Sequence, residues 1–168
     1  MLKNQKYIGI FKRIYFFLAL LVFNLNLFSQ TASVEIISFN STASYGSGSG
    51  VSVHINPTGI FKMASPSTLG TNDPDNNKFV LELSNSSGDF SSPIVLAEIY
   101  NFYTPLINAV LPNNLEEGDY KLRILATKAL DSDPGIIPQT FSEIYVETET
   151  FSVTSDTISQ YVNVTSGI

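Results

Sequence analysis

The chain has 168 residues, with no cysteine and one histidine, and its nine basic and fifteen acidic residues give a formal net charge of −6. Four basic residues and no acidic ones lie within 1–30, so residues 31–168 carry five basic and fifteen acidic groups. This imbalance argues against nucleic-acid binding, which needs a Lys/Arg surface to replace condensed counterions. The composition also excludes a Cys nucleophile, a CxxC redox pair and a His/Cys zinc site.

Residues 1–30 have the layout of a secretory signal peptide: a basic start, an apolar run over 14–23 and a more polar end at Gln30. The apolar run is shorter than the roughly 20 residues that span a bilayer, so we favour cleavage after Gln30 over a retained anchor. We expect a protein that is secreted or displayed on the cell surface, with no transmembrane span after cleavage.

Beyond the signal, apolar residues recur with period two and no window shows a sustained helical period. The pattern predicts an all-β domain over 31–153, followed by a polar tail or linker over 154–168. Turn-forming residues separate the strands, and Pro57 is expected to end the second one because proline cannot donate to a β-ladder. Seven strands at this spacing predict an immunoglobulin-like antiparallel β-sandwich. The expected strands cover residues 34–39, 51–56, 79–84, 94–100, 106–111, 120–127 and 141–153. We expect the centre of the core to be formed by Phe79, Leu81, Leu83, Leu122 and Ile124.

Tyr120 follows Gly118-Asp119 at the start of a predicted strand and precedes Leu122 by two residues. This is the arrangement of a tyrosine corner, in which the hydroxyl bonds an upstream backbone group while the ring packs. The alternative is an ordinary Gly-Asp turn with a half-buried tyrosine.

Three segments carry a resemblance to a known family: 49–53 (SGVSV), 77–96 (NKFVLELSNSSGDFSSPIVL) and 118–124 (GDYKLRI). Over about residues 33–150 the chain resembles the immunoglobulin-like domains of secreted and gliding-motility-associated surface proteins of Bacteroidota. The resemblance implies the fold and an exported setting. Members of that family are commonly long and repeated and end in a sorting domain, so the chain is either a small one-domain protein or an amino-terminal piece of a longer one.

Two apparent motifs favour structural roles. The glycines of 46–50 are spaced like a phosphate loop, but a period-two strand follows them, so we expect a turn. His54 alternates with apolar residues in mid-strand and is expected to face solvent, without the orienting acid that a Ser-His-Asp site requires.

Two acidic segments are candidates for metal binding. Asp73 and Asp75 precede the third strand, Asp131 and Asp133 follow the sixth, and an immunoglobulin-like sandwich places both loops at one end. Four carboxylates would suit Ca²⁺. The alternative is a pair of solvated loops, because Asp, Asn and Pro are common there.

Tyr100, Phe102 and Tyr103 lie together between two predicted strands. They could form a platform that contacts sugar rings, but we favour interior or partly buried packing because aromatic side chains usually serve cores.

No catalytic constellation emerges, so the sequence favours a protein that is not an enzyme: a secreted or cell-surface module that contacts an extracellular protein or glycan, in an adhesion, envelope or spacer role. The alternative is a carbohydrate-binding accessory module or a carboxylate-based hydrolase, which needs only two carboxyl groups. Apart from the possible calcium, no cofactor is expected.

Overall fold

The computed structural model describes residues 31–63, 73–132 and 137–154. The predicted signal peptide (1–30), Asp133 and all of the predicted tail except Thr154 lie outside these residues. The described residues form ten β-strands and no helix, which confirms the all-β prediction. The strands are β1 (Ser33–Ser38), β2 (Ser44–Gly46), β3 (Gly50–Thr58), β4 (Lys78–Leu83), β5 (Ile94–Tyr100), β6 (Leu106–Val110), β7 (Gly118–Tyr120), β8 (Leu122–Leu130), β9 (Phe141–Glu147) and β10 (Phe151–Thr154).

The strands form three sheets. One has the order β1-β3-β6 and another the order β5-β4-β8-β9, and every neighbouring pair in both is antiparallel. The third has the order β2-β10-β7, in which β2 pairs with β10 in parallel. Only Lys121 separates β7 from β8, and only residues 148–150 separate β9 from β10. The third sheet therefore continues the β8–β9 pair.

Side chains from all three sheets meet in one buried cluster, which makes the fold sandwich-like. In β3, Val51, Val53 and Ile55 are buried while the residues between them are exposed, as a strand with one face on a core requires. The residues predicted for the centre are all fully buried: Phe79, Leu81, Leu83, Leu122 and Ile124.

Pro57 does not end β3, so that prediction is wrong. It pairs with Val34 of β1, and the strand continues to Thr58. The backbone N–H of Ile55 points to the opposite side, where it donates to the carbonyl of Pro105 just before β6. The backbone nitrogens of residues 55 and 57 point to the same side of β3, because alternate residues of a strand do so. The nitrogen of Pro57 therefore lies beyond the first residue of β6, and the proline removes no hydrogen bond from the ladder.

The tyrosine corner is confirmed. The hydroxyl of Tyr120 donates to the backbone carbonyl of Glu116 at 2.9 Å, and the side chain is buried against Phe151. Ser84 and Thr148 bridge the break between β7 and β8 that follows: Ser84 Oγ accepts from the N–H of Lys121 at 2.8 Å, and Thr148 Oγ1 accepts from that of Leu122 at 3.0 Å.

Candidate functional site

The described residues that directly follow β3 lie beside the last residues of β8. There Phe61 bridges Ala129, and the N–H of Leu130 donates to the carbonyl of Ile60. The N–H of Lys62 likewise donates to the carbonyl of Lys128. Asp131 directly follows this segment and Asp75 contacts both of its lysines, so these two acidic residues lie at the same end.

Two lysines, one from each segment, neutralise Asp75. Its Oδ1 lies 3.0 Å from Lys62 Nζ and 3.8 Å from Lys128 Nζ. The hydrogen bond from Lys62, followed by the charges of the two ammonium groups, holds the pKa of the Asp75 carboxyl below its ordinary value. Asp73 uses Oδ1 locally, accepting a hydrogen bond from the N–H of Asp75 at 2.9 Å.

The Asp131 carboxylate accepts a hydrogen bond from the hydroxyl of Thr140, which lowers its pKa. No three His, Asp or Glu side chains within 31–63, 73–132 and 137–154 are placed to hold a metal ion. Because Asp133 lies outside these ranges, the predicted four-carboxylate calcium site stays a prediction.

A pocket of about 340 Å³ opens beside the Asp73 loop, on the outer face of the four-stranded sheet. Both Asp73, from a predicted metal-binding loop, and Tyr100, from the predicted aromatic platform, line this pocket. Register explains the meeting, because Lys78 at the start of β4 pairs with Tyr100 at the end of β5. We call this the Tyr100 pocket; its lining residues are Asp73, Pro74, Asn76, Lys78, Tyr100, Thr127 and Lys128.

Lys78, Glu98 and Tyr100 fix one wall of the Tyr100 pocket. Glu98 accepts hydrogen bonds from Lys78 Nζ at 2.5 Å and from the Tyr100 hydroxyl at 2.9 Å. The bond from Lys78 is the main cause of a lowered pKa at Glu98, and the bond to Glu98 is the main cause of a raised pKa at Tyr100. Lys78 Nζ also lies 5.7 Å from the centre of the Tyr100 ring.

Phe102 and Tyr103 are exposed over 44% and 49% of their surfaces, whereas Tyr100 is partly buried. The Asn101 side chain orders this turn, because its Oδ1 accepts from the N–H of Phe102 at 2.8 Å and from that of Tyr103 at 3.4 Å. The backbone of Phe102 and Tyr103 is thus held in a defined turn directly after Tyr100.

Asn77 ties the segments behind the Tyr100 pocket together, and it is fully buried. Its Nδ2 donates to the carbonyl of Asn101, its Oδ1 accepts from the N–H of Lys128, and its own N–H donates to the carbonyl of Lys62. One side chain therefore links the Asp73 loop to both β8 and the aromatic turn.

Sequence reasoning missed a cation–π cluster on the same outer face. The Arg123 guanidinium lies 4.4 Å from the ring centre of Phe90 and 5.5 Å from that of Tyr145. It also bonds Glu82, whose Oε2 is 2.8 Å from Arg123 Nε and 2.7 Å from Nη2. Only a weak signal for this cluster is present in the sequence. An arginine and a glutamate lie at outward positions of two strands, and only the structure shows that these strands are neighbours.

The remaining motifs have the structural placement expected of them. His54 is exposed in mid-strand on β3. Residues 47–49 form the turn between β2 and β3, and Gly48 adopts a φ of 78°, where a Cβ would also lie 2.5 Å from Asn113 Oδ1.

The described residues contain no helix long and apolar enough to cross a membrane. The chain matches no protein-family model and no curated protein.

Proposed function

We propose that this chain is an exported, non-catalytic immunoglobulin-like module that acts by contact with an extracellular protein or glycan. The observation that carries the proposal is the strand arrangement. A three-stranded β1-β3-β6 sheet and a four-stranded β5-β4-β8-β9 sheet share one core, and a tyrosine corner opens the β7–β8 strand. Immunoglobulin-like sandwiches place strands A, B and E against C, F and G in this way, with the corner tyrosine at the start of strand F.

Four carboxylates with a lowered pKa support a non-catalytic role. A hydrolase that works with two carboxyl groups needs one of them to stay protonated, and therefore to have a raised pKa. Hydrogen bonds and ion pairs instead lower the pKa of Asp75, Asp89, Glu98 and Asp131. These groups are organised as fixed anions rather than as proton donors.

The proposal that the chain is exported rests on the composition of residues 1–30. The proposal of a surface setting rests on the resemblance to exported Bacteroidota domains. An adhesion, envelope or spacer role fits a domain with no free basic surface. All five Lys and Arg side chains beyond residue 30 form ion pairs with carboxylates, and the surplus of acidic groups leaves the domain with a net negative charge.

The test begins with export of the full chain from a bacterial host. We expect protein outside the inner membrane whose amino terminus, by mass spectrometry, is Thr31. A matched Leu20→Arg variant interrupts the apolar run and should stay uncleaved inside the cell. The exported protein is then incubated with a panel of polysaccharides. Release of reducing ends would refute the non-catalytic role, and correct export of Leu20→Arg would refute the assigned signal.

A further inference from the structure

We infer that the Tyr100 pocket is a binding site for a neutral saccharide. This inference rests on the proposed contact function and names the ligand class for one site of the module. It is carried by three features of the pocket: its volume and lining, its fully paired lysines and the aromatic turn beside it.

The Tyr100 pocket has the composition of a small-ligand site. Its volume of about 340 Å³ falls at the small end of known ligand pockets, roughly 300–1,000 Å³. One aromatic ring lies among short polar groups that include both donors and acceptors. Thr127 Oγ1, for example, accepts from the N–H of Lys78 at 3.1 Å, and a hydroxyl that accepts one bond can also donate one.

The lysines around the pocket are already paired. Lys62 and Lys128 pair with Asp75, and Lys78 pairs with Glu98. Asp73 lines the pocket as well, and the charge of Glu143 also acts on Lys78. An anionic ligand would therefore have to break an existing ion pair to gain one of its own. A neutral ligand with many hydroxyl groups can hydrogen-bond to both ammonium and carboxylate groups without breaking a pair.

The Tyr100 ring selects a sugar among neutral polar ligands. An aromatic face carries partial negative charge, which suits the weakly positive C–H groups on one face of a pyranose ring. The hydrogen bond from the Tyr100 hydroxyl to Glu98 and the contact with Lys78 hold the ring in place before a ligand arrives. Such preorganisation lowers the entropic cost of binding.

The aromatic turn offers a route for a longer glycan. Phe102 and Tyr103 follow Tyr100 by two and three residues, so their Cα atoms lie within about 11 Å of that of Tyr100, given at most ~3.6 Å per residue. Both side chains are nearly half exposed. An oligosaccharide that places one sugar unit in the pocket can contact Phe102 and Tyr103 with the next sugar unit.

The experiment is a calorimetric titration of the purified protein with neutral oligosaccharides of glucose, mannose, galactose and xylose, two to six units long, alongside galacturonate oligomers. At least one neutral series should bind, with a Kd of roughly 10 μM to 1 mM. The matching galacturonate should bind at least tenfold more weakly. Absence of binding by every neutral series, or a preference for galacturonate, would overturn the inference.

Two tyrosine variants locate the site. Tyr100→Ala should weaken binding at least tenfold, and Tyr100→Phe should stay within about threefold of the parent, because it keeps the ring. Tyr145→Ala is the matched control: Tyr145 is 64% exposed on β9 and does not line the pocket. Equal losses from Tyr100→Ala and Tyr145→Ala, with unchanged melting temperatures, would place the binding elsewhere and refute the assignment.

The outcomes separate this inference from the proposed function. If no saccharide binds, the site is refuted, while an exported module that contacts proteins still stands. If a saccharide binds and its glycosidic bonds are cleaved, the site stands and the non-catalytic role is refuted.

Discussion

Replacing Arg123 by methionine should destabilise the protein more than removing any other single charge. Its partner Glu82 has a side chain only 9% exposed, and that of Arg123 is 20% exposed. Removing one member of a buried ion pair leaves the other charge in a poorly solvated site, at a cost of about 3–5 kcal/mol. Because Arg123 is partly exposed, we expect the lower end, about 3 kcal/mol, for that loss alone.

The two aromatic contacts add to this cost. Phe90 and Tyr145 lie within the 6 Å over which cation–π attraction is significant, and each contact contributes about 0.5–1 kcal/mol. Arg123→Lys keeps the charge but loses the planar stacking and the forked donors. It should therefore cost less than Arg123→Met, about 1–2 kcal/mol.

Urea unfolding followed by far-UV circular dichroism gives the free energies for a double-mutant cycle of Glu82→Gln and Arg123→Met. The two changes should couple by more than about 1 kcal/mol, since the residues share one buried contact. Lys121→Met is the matched control, because it breaks the half-exposed pair with Glu147 at 3.3 Å and should cost at most about 1 kcal/mol. A cost for Arg123→Met no greater than that of Lys121→Met, or simple additivity in the cycle, would refute the reasoning.

Four further predictions can be checked in the same way. Leu122→Ala should cost about 2–5 kcal/mol in urea unfolding, because that fully buried side chain leaves a cavity. Asn77→Ala should cost about 2–5 kcal/mol by leaving two partly buried backbone groups without their hydrogen bonds, whereas Asn108→Ala, which loses only an exposed bond to Ser52, should cost little. The lowered pKa of Glu98 gives stability that is present above the ordinary glutamate value and lost as the pH falls through the lowered one. Thermal melts should therefore drop below about pH 4, with a shallower drop in Glu98→Gln. If the acidic loops bind calcium, Ca²⁺ should raise the melting temperature more than Na⁺ at equal ionic strength; equal shifts would leave a solvated rim.

The features that the sequence predicted are local ones. Any strand with one buried face has alternating apolar and polar residues, whichever strands lie beside it. Leu81 and Ile124 could therefore be assigned to the core before any strand pairing was known. The tyrosine corner joins Tyr120 to Glu116, only four residues upstream. The polar run after β4 forms a turn in which Asn85 Oδ1 accepts from the N–H groups of Ser87 and Asp89.

The features that it missed depend on which strands become neighbours. Strand β2 has only three residues, and its partner β10 follows more than a hundred positions later, so no local pattern announces it. Pro57 was misjudged because proline is harmful only where its nitrogen faces a partner strand. Glu82 and Arg123 are 41 residues apart and meet only through the β4–β8 register.

The same dependence on register explains how this fold can carry a site that lies apart from its core. None of the residues that line the Tyr100 pocket belongs to the buried core cluster. The pocket is instead held by paired charges at its rim and by Asn77 behind it. Substitution of Tyr100 should therefore change binding at nearly constant stability, while substitution of Leu122 should change stability with the site chemistry intact. If the two effects cannot be separated, the pocket is part of the packing that maintains the sandwich and not a site built upon it.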